Sequence, residues 1–158
     1  MTDDRPVQYL EDLEPGSRFT TGSTTITAQA VHAFATEFDP QPFHLDAAAA
    51  AAHPVFQGLA ASGWHTAAAT MRLLTTSGPR LAGGVIGLGG EVTWPRPTRP
   101  GDVLTLHGEI VEVRRTRSRP DRGIVTMRCE TRNGTGDVVQ VLLARLMVFA
   151  RSTEAPAP

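Results

Sequence analysis

Lysine is missing. All 15 basic residues are arginine, which excludes a Schiff-base lysine and the lysine of a phosphate-binding P-loop. There is one cysteine, Cys129. An intrachain disulfide is therefore impossible, and a cysteine zinc site has too few ligands. Cys129 lies in the alternating stretch Val125, Met127, Cys129, so it reads as a small apolar core residue. Neither sign of charge dominates, since the formal net charge is -1. That speaks against a nucleic-acid partner or an anionic membrane surface. No apolar run reaches the roughly 18 residues of a membrane span. Met1 to Arg5 is acidic and polar, not a basic-then-apolar leader. A cytoplasmic protein is expected.

What is present is an ordinary globular composition. Hydrophobic residues make up 41% of 158 residues, enough for one domain with a real core. One domain is expected over 1–158, its core spanning about 10–150 and its tail fraying over about 152–158. No internal repeat is visible. Residues 17–27 are threonine-rich and read as a strand. Thr27 reads as the N-cap of a helix over 28–37, with Val31, Phe34, Ala35 and Phe38 on one face.

Asp39-Pro40-Gln41-Pro42-Phe43-His44 follows. Its two prolines predict a fixed, non-helical loop. Asp46 then caps a short helix of six alanines. His53 to Gly58 is a second loop. Leu59 to Thr76 is apolar nearly all round and contains no Asp or Glu, which predicts a buried central helix. Four strands are expected after it. They cover Val85–Trp94, Asp102–Arg114, Ile124–Arg132 and Val138–Phe149, and Asn133–Gly136 makes a hairpin turn. Gly87, Gly89 and Gly90 lack a following helix, so they mark a bend and not a nucleotide loop. The class is α+β, an antiparallel sheet curled around one apolar helix. A helix apolar on every side needs more cover than one sheet supplies, so a homodimer or larger homo-oligomer is expected.

Asp39 and His44 are the candidate acid–base pair. A proline-fixed segment suits proton transfer, which needs atoms held within about 3 Å. Phe38, Phe43 and Phe56 would wall the site and keep it partly dry. His65 reads as a hydrogen-bonded core or interface histidine. His53 reads as a loop residue near the site, and His107 as a strand residue. No histidine pair has metal-ligand spacing with a carboxylate, so no metal is expected. The cluster Arg114, Arg115, Arg117, Arg119 and Arg122 reads as a solvated turn. Contact with phosphates is the sharper alternative.

Phe38 to Asp46 resembles the signature of MaoC-like dehydratases and (R)-specific enoyl-CoA hydratases, Gly-Asp-x-Asn-Pro-[Ile/Leu]-His. Gly58-Leu59-Ala60-Ala61-Ser62-Gly63-Trp64 resembles the start of that family's central helix. Thr93-Trp94-Pro95-Arg96-Pro97 and Arg99-Pro100-Gly101-Asp102 resemble its strand and Pro-Gly-Asp turn. Gln41 replaces the usual Asn, and Phe38 the usual Gly. The resemblance implies a hot-dog fold and reversible hydration of a trans-2-enoyl-CoA to an (R)-3-hydroxyacyl-CoA. Asp39 and His44 would be catalytic, and the Gly58 backbone would bind the thioester oxygen. Gln41, Phe43, Phe56, Ser62 and Thr66 are the candidate substrate-binding residues. No cofactor is expected beyond the coenzyme A of the substrate. A hot-dog thioesterase and a non-catalytic acyl-CoA-binding module are the alternatives.

Overall fold

The computed structural model describes residues 4–151; the tail expected to fray lies outside them. In chain order the elements are β1 (Val7–Gln8), a 3-10 turn (Leu10–Asp12), β2 (Arg18–Thr25), α1 (Ala28–Phe38), α2 (Pro42–Leu45), α3 (Ala47–Ala52), α4 (Gly63–Ser77), β3 (Arg80–Leu81), β4 (Ile86–Thr93), β5 (Val103–Arg115), β6 (Arg122–Arg132) and β7 (Val138–Phe149). The main sheet has the order β2-β5-β6-β7-β4, and every neighbouring pair is antiparallel. α4 packs against β2, β5 and β7. This is the hot-dog arrangement. β1 and β3 add a small parallel pair. Val7 and Gln8 lie ahead of the expected core, yet they find partners in Arg80 and Leu81, 73 residues on.

The strands form where polarity alternates. Leu104, Leu106 and Ile110 of β5, with Val125, Met127 and Cys129 of β6, point inward and are buried. Their neighbours face out, which is the period-2 pattern of a half-covered sheet. Burial pushes the Cys129 thiol up to about 12, so it stays protonated and inert. Register shifts at Thr20/Ser23, Gly87/Gly89 and Ile110/Glu112 mark bulges. Bulges bend a sheet, and the Gly87–Gly90 stretch expected to mark a bend carries one of them.

The caps hold as expected. Thr27 Oγ1 accepts from the Ala30 N–H at 3.1 Å, and Asp46 Oδ1 accepts from the Ala49 N–H at 2.7 Å. Each satisfies an N–H that a helix start leaves open.

α4 departs from its prediction in two ways. It begins at Gly63, not Leu59. Alanine-rich sequence favours helix, yet Ala61 N–H donates to Thr98 O at 2.8 Å, so Leu59–Ala61 stays outside the helix and Ser62 becomes the cap. Nor is α4 a greasy rod buried on all sides. Its buried residues are Thr66, Thr70, Leu73 and Leu74, while Trp64 is 61% exposed.

The threonines are accommodated by partners. Thr66 Oγ1 donates to Thr98 Oγ1 at 2.9 Å. Thr70 Oγ1 lies 2.6 Å from Thr131 Oγ1 and accepts from Gln140 Nε2 at 3.0 Å. Gln140 Oε1 in turn accepts from Trp94 Nε1 at 2.9 Å. Buried polar groups are tolerated when paired in this way. A line of side-chain hydrogen bonds therefore ties the helix to the sheet.

Candidate active site

The site starts where α1 stops. The Asp39 N–H donates to Ala35 O at 3.0 Å as the helix C-cap, and Pro40 bars continuation. The next residues correct the loop expectation. Pro42–Leu45 forms one helical turn, with Pro42 at its start. Proline is accepted at the first helical position because the N–H it lacks has no helical partner there. His44 thus sits on a short helix and is buried, at 4% exposure.

Both ring nitrogens of His44 are engaged. Nδ1 lies 2.7 Å from Ala60 O. A carbonyl only accepts, so Nδ1 carries a proton. Nε2 lies 3.2 Å from Asp39 Oδ2. The other carboxylate oxygen, Oδ1, accepts from Gln41 Nε2 at 2.6 Å, and the nearby Ser62 hydroxyl favours the ionised carboxylate. Partial burial pushes the Asp39 pKa up. Hydrogen bonds from Ser62 and Gln41, with the charge and hydrogen bond of His44, outweigh burial and hold it below the usual carboxylate value. Asp39 is therefore ionised near neutrality.

These groups open on a cavity of about 430 Å³. Phe43, Phe56, Trp64 and Trp94 supply its aromatic lining, and residues 95–98 close one side. Phe43 stacks on Phe56 with ring centroids 4.5 Å apart. Trp64 meets Trp94 edge-on at 5.3 Å. Ser62, Gly63 and Thr66 bring the first turn of α4 to the floor. The Trp64 N–H is taken by Ser62 Oγ at 3.2 Å. Among the described residues the Gly63 N–H meets no acceptor, and it lies at the positive end of the helix dipole. A second concavity, of about 330 Å³, lies on the outer face of β2, β5 and β6. Its charged groups largely pair with one another, as Arg18 does with Glu109 and Glu130 with Arg128 and Arg132.

A protein-family model described as MaoC like domain matches residues 12–133. The chain belongs to the MaoC-like domain family. Among solved structures, this MaoC-like domain is similar to the MaoC-like dehydratase from Rhodospirillum rubrum, at 53% identity over 92% of this chain and 99% of that one, with a TM-score of 0.89. An (R)-hydratase from Pseudomonas aeruginosa is 27% identical over 95% of this chain and 93% of that one, with a TM-score of 0.68. The (R)-hydratase from A. caviae is also 27% identical, over 86% and 97%, with a TM-score of 0.69. No curated protein matches the sequence.

The structure gathers Asp39, Gln41, Phe43, His44, Phe56, Ser62 and Thr66 around one cavity. Gly58 is the exception. Its N–H donates to Ala50 O at 2.9 Å, so it is not free to bind an oxyanion. Its glycine character answers a different need, a φ of +151° that side chains rarely adopt. Phe38 also stays outside. It is 64% exposed and packs on Phe34 at 5.1 Å. Gln41, in place of the usual Asn, holds the Asp39 carboxylate directly.

His65 is not the hydrogen-bonded histidine expected. Among the described residues its Nδ1 is buried without a partner, its ring stacks on Phe34 at 4.9 Å, and burial lowers its pKa. His53 sits beside Phe43 and Phe56, and its Nδ1 accepts from the N–H groups of Val55 and Phe56. His107 lies on β5, 3.3 Å from Thr20 Oγ1. The basic turn lies at the far end of β5, roughly 40 Å along the strand from its start at the rise of an extended chain. There Arg115 pairs with Glu11 and Arg122 with Asp121. Sequence reasoning missed the Ala60 carbonyl and Gly63, because backbone groups carry no side-chain signal. It also missed Trp94 as a wall, although the proline-rich segment after it was visible.

Proposed function

We propose that this MaoC-like domain is a hydro-lyase that reversibly hydrates a trans-2-enoyl-CoA to an (R)-3-hydroxyacyl-CoA. The observation that carries the reading is the 3.2 Å contact between His44 Nε2 and Asp39 Oδ2 at the mouth of the cavity that holds the α4 N-terminus. Similarity to (R)-hydratases supports it. So does the absence of Asp and Glu from Gly63–Ser77, where a hot-dog thioesterase would carry its acid.

The chemistry follows from the proton inventory. With Nδ1 held protonated by Ala60 and Asp39 ionised, the proton between the pair sits on Nε2. A water bound to both groups loses a proton to Asp39 as its oxygen bonds to the β-carbon. Nε2–H delivers a proton to the α-carbon on the same face. The thioester oxygen becomes enolate-like meanwhile, and the Gly63 N–H faces it, aided by the helix dipole. Asp39 then returns its proton to Nε2, and the pair is reset. Dehydration is the reverse. No cofactor takes part beyond the coenzyme A of the substrate.

The working unit is a homodimer or larger homo-oligomer. Trp64 at 61% exposure, Met71 at 43% and Leu88 at 48% leave apolar surface on α4 and the edge strand β4 of one chain; surfaces of that kind mark association sites. Light scattering checks this, and a monomer at working concentration would refute it.

The activity test uses crotonyl-CoA, following enoyl absorbance and thiol release together. Enoyl loss without thiol is expected. Thiol release would make the protein a thioesterase, and neither signal across a series of acyl chains would leave a binding module.

A further inference from the structure

Arg99 does not line the cavity, yet it governs one of its walls. Its Nη1 donates to Gly58 O at 2.6 Å and to Leu59 O at 3.1 Å, and Nη2 donates to Phe56 O. Three carbonyls of one short segment thus converge on one guanidinium. Among the described residues the salt bridges include no carboxylate partner for Arg99. The nearby Asp102 carboxylate is spent on the Arg99 backbone N–H, at 2.7 Å.

The clamped segment has local N–H bonds, Gln57 to His53 O at 3.0 Å and Gly58 to Ala50 O at 2.9 Å, but its carbonyls at 56, 58 and 59 are all taken by Arg99. Gln57 has a φ of +50° and Gly58 a φ of +151°, conformations that side chains rarely adopt. The Ala60 N–H reaches Phe43 O only at 3.4 Å. The clamp itself is well anchored. Gly101 N–H donates to Ile26 O at 2.7 Å and Ile26 N–H to Asp102 O at 2.9 Å, which fixes the Arg99 turn to the end of β2. The residue after the clamped carbonyls is Ala60, whose carbonyl holds His44 Nδ1.

We propose that Arg99 is a positioning residue for the acid–base pair: it holds Phe56–Leu59 so that the Ala60 carbonyl fixes the proton and the orientation of the His44 ring. This rests on the hydratase reading for its rate effects, but not for its effect on the ring. Arginine suits the task because its rigid fork presents five N–H donors, whereas lysine offers a single flexible point.

The test replaces Arg99 with Met and with Lys. For Arg99→Met, kcat on crotonyl-CoA should fall about 30- to 100-fold with KM within about threefold, as expected when reacting groups are misplaced by an ångström. Arg99→Lys should recover part of the loss, and guanidinium ion added to Arg99→Ala should raise its kcat. In ¹⁵N spectra of the histidine rings, wild-type Nδ1 of His44 should be protonated and its signals single; Arg99→Met should shift or split them. Unchanged His44 signals in a folded Arg99→Met protein overturn the proposal whatever the rate does, and so does an unchanged kcat. If Arg99→Met does not fold, Arg99→Lys carries the same two readouts. A wild-type protein inactive on every enoyl-CoA would sink the hydratase reading alone, because the ring signals need no substrate.

Discussion

The cavity has two walls that differ in how much they depend on distant parts of the chain. Residues 39–46 support themselves: α1 caps at Asp39, the His44 N–H donates to Gln41 O at 3.0 Å, and Asp46 N–H donates to Pro42 O at 2.8 Å. Each link spans a few residues, and two prolines stiffen the path. Residues 56–61 combine short links, Gln57 N–H to His53 O at 3.0 Å and Gly58 N–H to Ala50 O at 2.9 Å, with bonds to Arg99 and Thr98 O, about forty positions away in the chain. The proposed acid–base side chains stand on the first wall, where Gln41 also holds Asp39. The group that aims His44, the Ala60 carbonyl, stands on the second. The His44 ring and its orientation thus depend on different parts of the chain, and substitutions should separate them.

The largest effect is expected on the first wall. Asp39→Asn and His44→Ala should each lower kcat for hydration by about a thousandfold or more, within the range for removed acid–base groups. Stability should change little for Asp39→Asn. Near-normal turnover in either folded variant would refute the mechanism.

Next is the oxyanion position. A Cβ at Gly63 would lie 2.7 Å from Trp94 Cε2, so Gly63→Ala must move the indole or the helix start. A fall of about 10- to 100-fold in kcat is expected, below the loss of a whole oxyanion donor. Gly58→Ala makes the contrast. It meets only Arg99 Nη1, at 3.4 Å, but is strained by its φ, so it should cost stability and lower kcat less than Gly63→Ala. The reverse order would restore Gly58 as the donor.

The pH profile separates the two members of the first wall. Because the Asp39 pKa is lowered, its base form persists until pH falls below about 4, the ordinary carboxylate value. The acid limb of kcat should therefore lie under that point. A limb between about 6 and 7 would make the imidazole the base.

The smallest effect on rate is expected behind Trp94. Gln140→Leu leaves the Trp94 N–H without its partner, while the Thr70 hydroxyl loses one bond and keeps Thr131 and the Thr66 carbonyl. Urea unfolding should show a loss of about 1–3 kcal/mol, the cost of unpaired buried polar groups, with kcat reduced less than in Gly63→Ala.

The first wall was legible because its signals are local. Proline spacing, the Asp46 cap and the motif resemblance all lie within nine residues of one another. The sheet was legible for the same reason, since alternation in β5 and β6 states which side is covered. The second wall was not. Leu59-Ala60-Ala61 is good helix sequence, yet its backbone bonds to Arg99, Phe43 and Thr98 lie outside any helix. Ser62 is a good N-cap residue, yet the apolar run around it masked the true start of α4. Nothing in the sequence distinguishes Arg99 from the other arginines, because its role depends on which carbonyls fold beside it. Thr66 read as a candidate substrate-binding residue and Thr70 carried no signal, because their partners at 98 and 131 are set by tertiary structure.

Those threonines have one more consequence. A helix resting on leucines alone can roll a little about its axis at small cost, since apolar contact has no preferred direction. α4 cannot. Turning it by one residue, about 100°, would unseat Thr66 from Thr98 and Thr70 from Thr131 and Gln140 at once. The hydroxyls act as a key in a keyway, and the rotational setting they impose is the one that puts Ser62, Gly63 and Thr66 in the lining of the cavity.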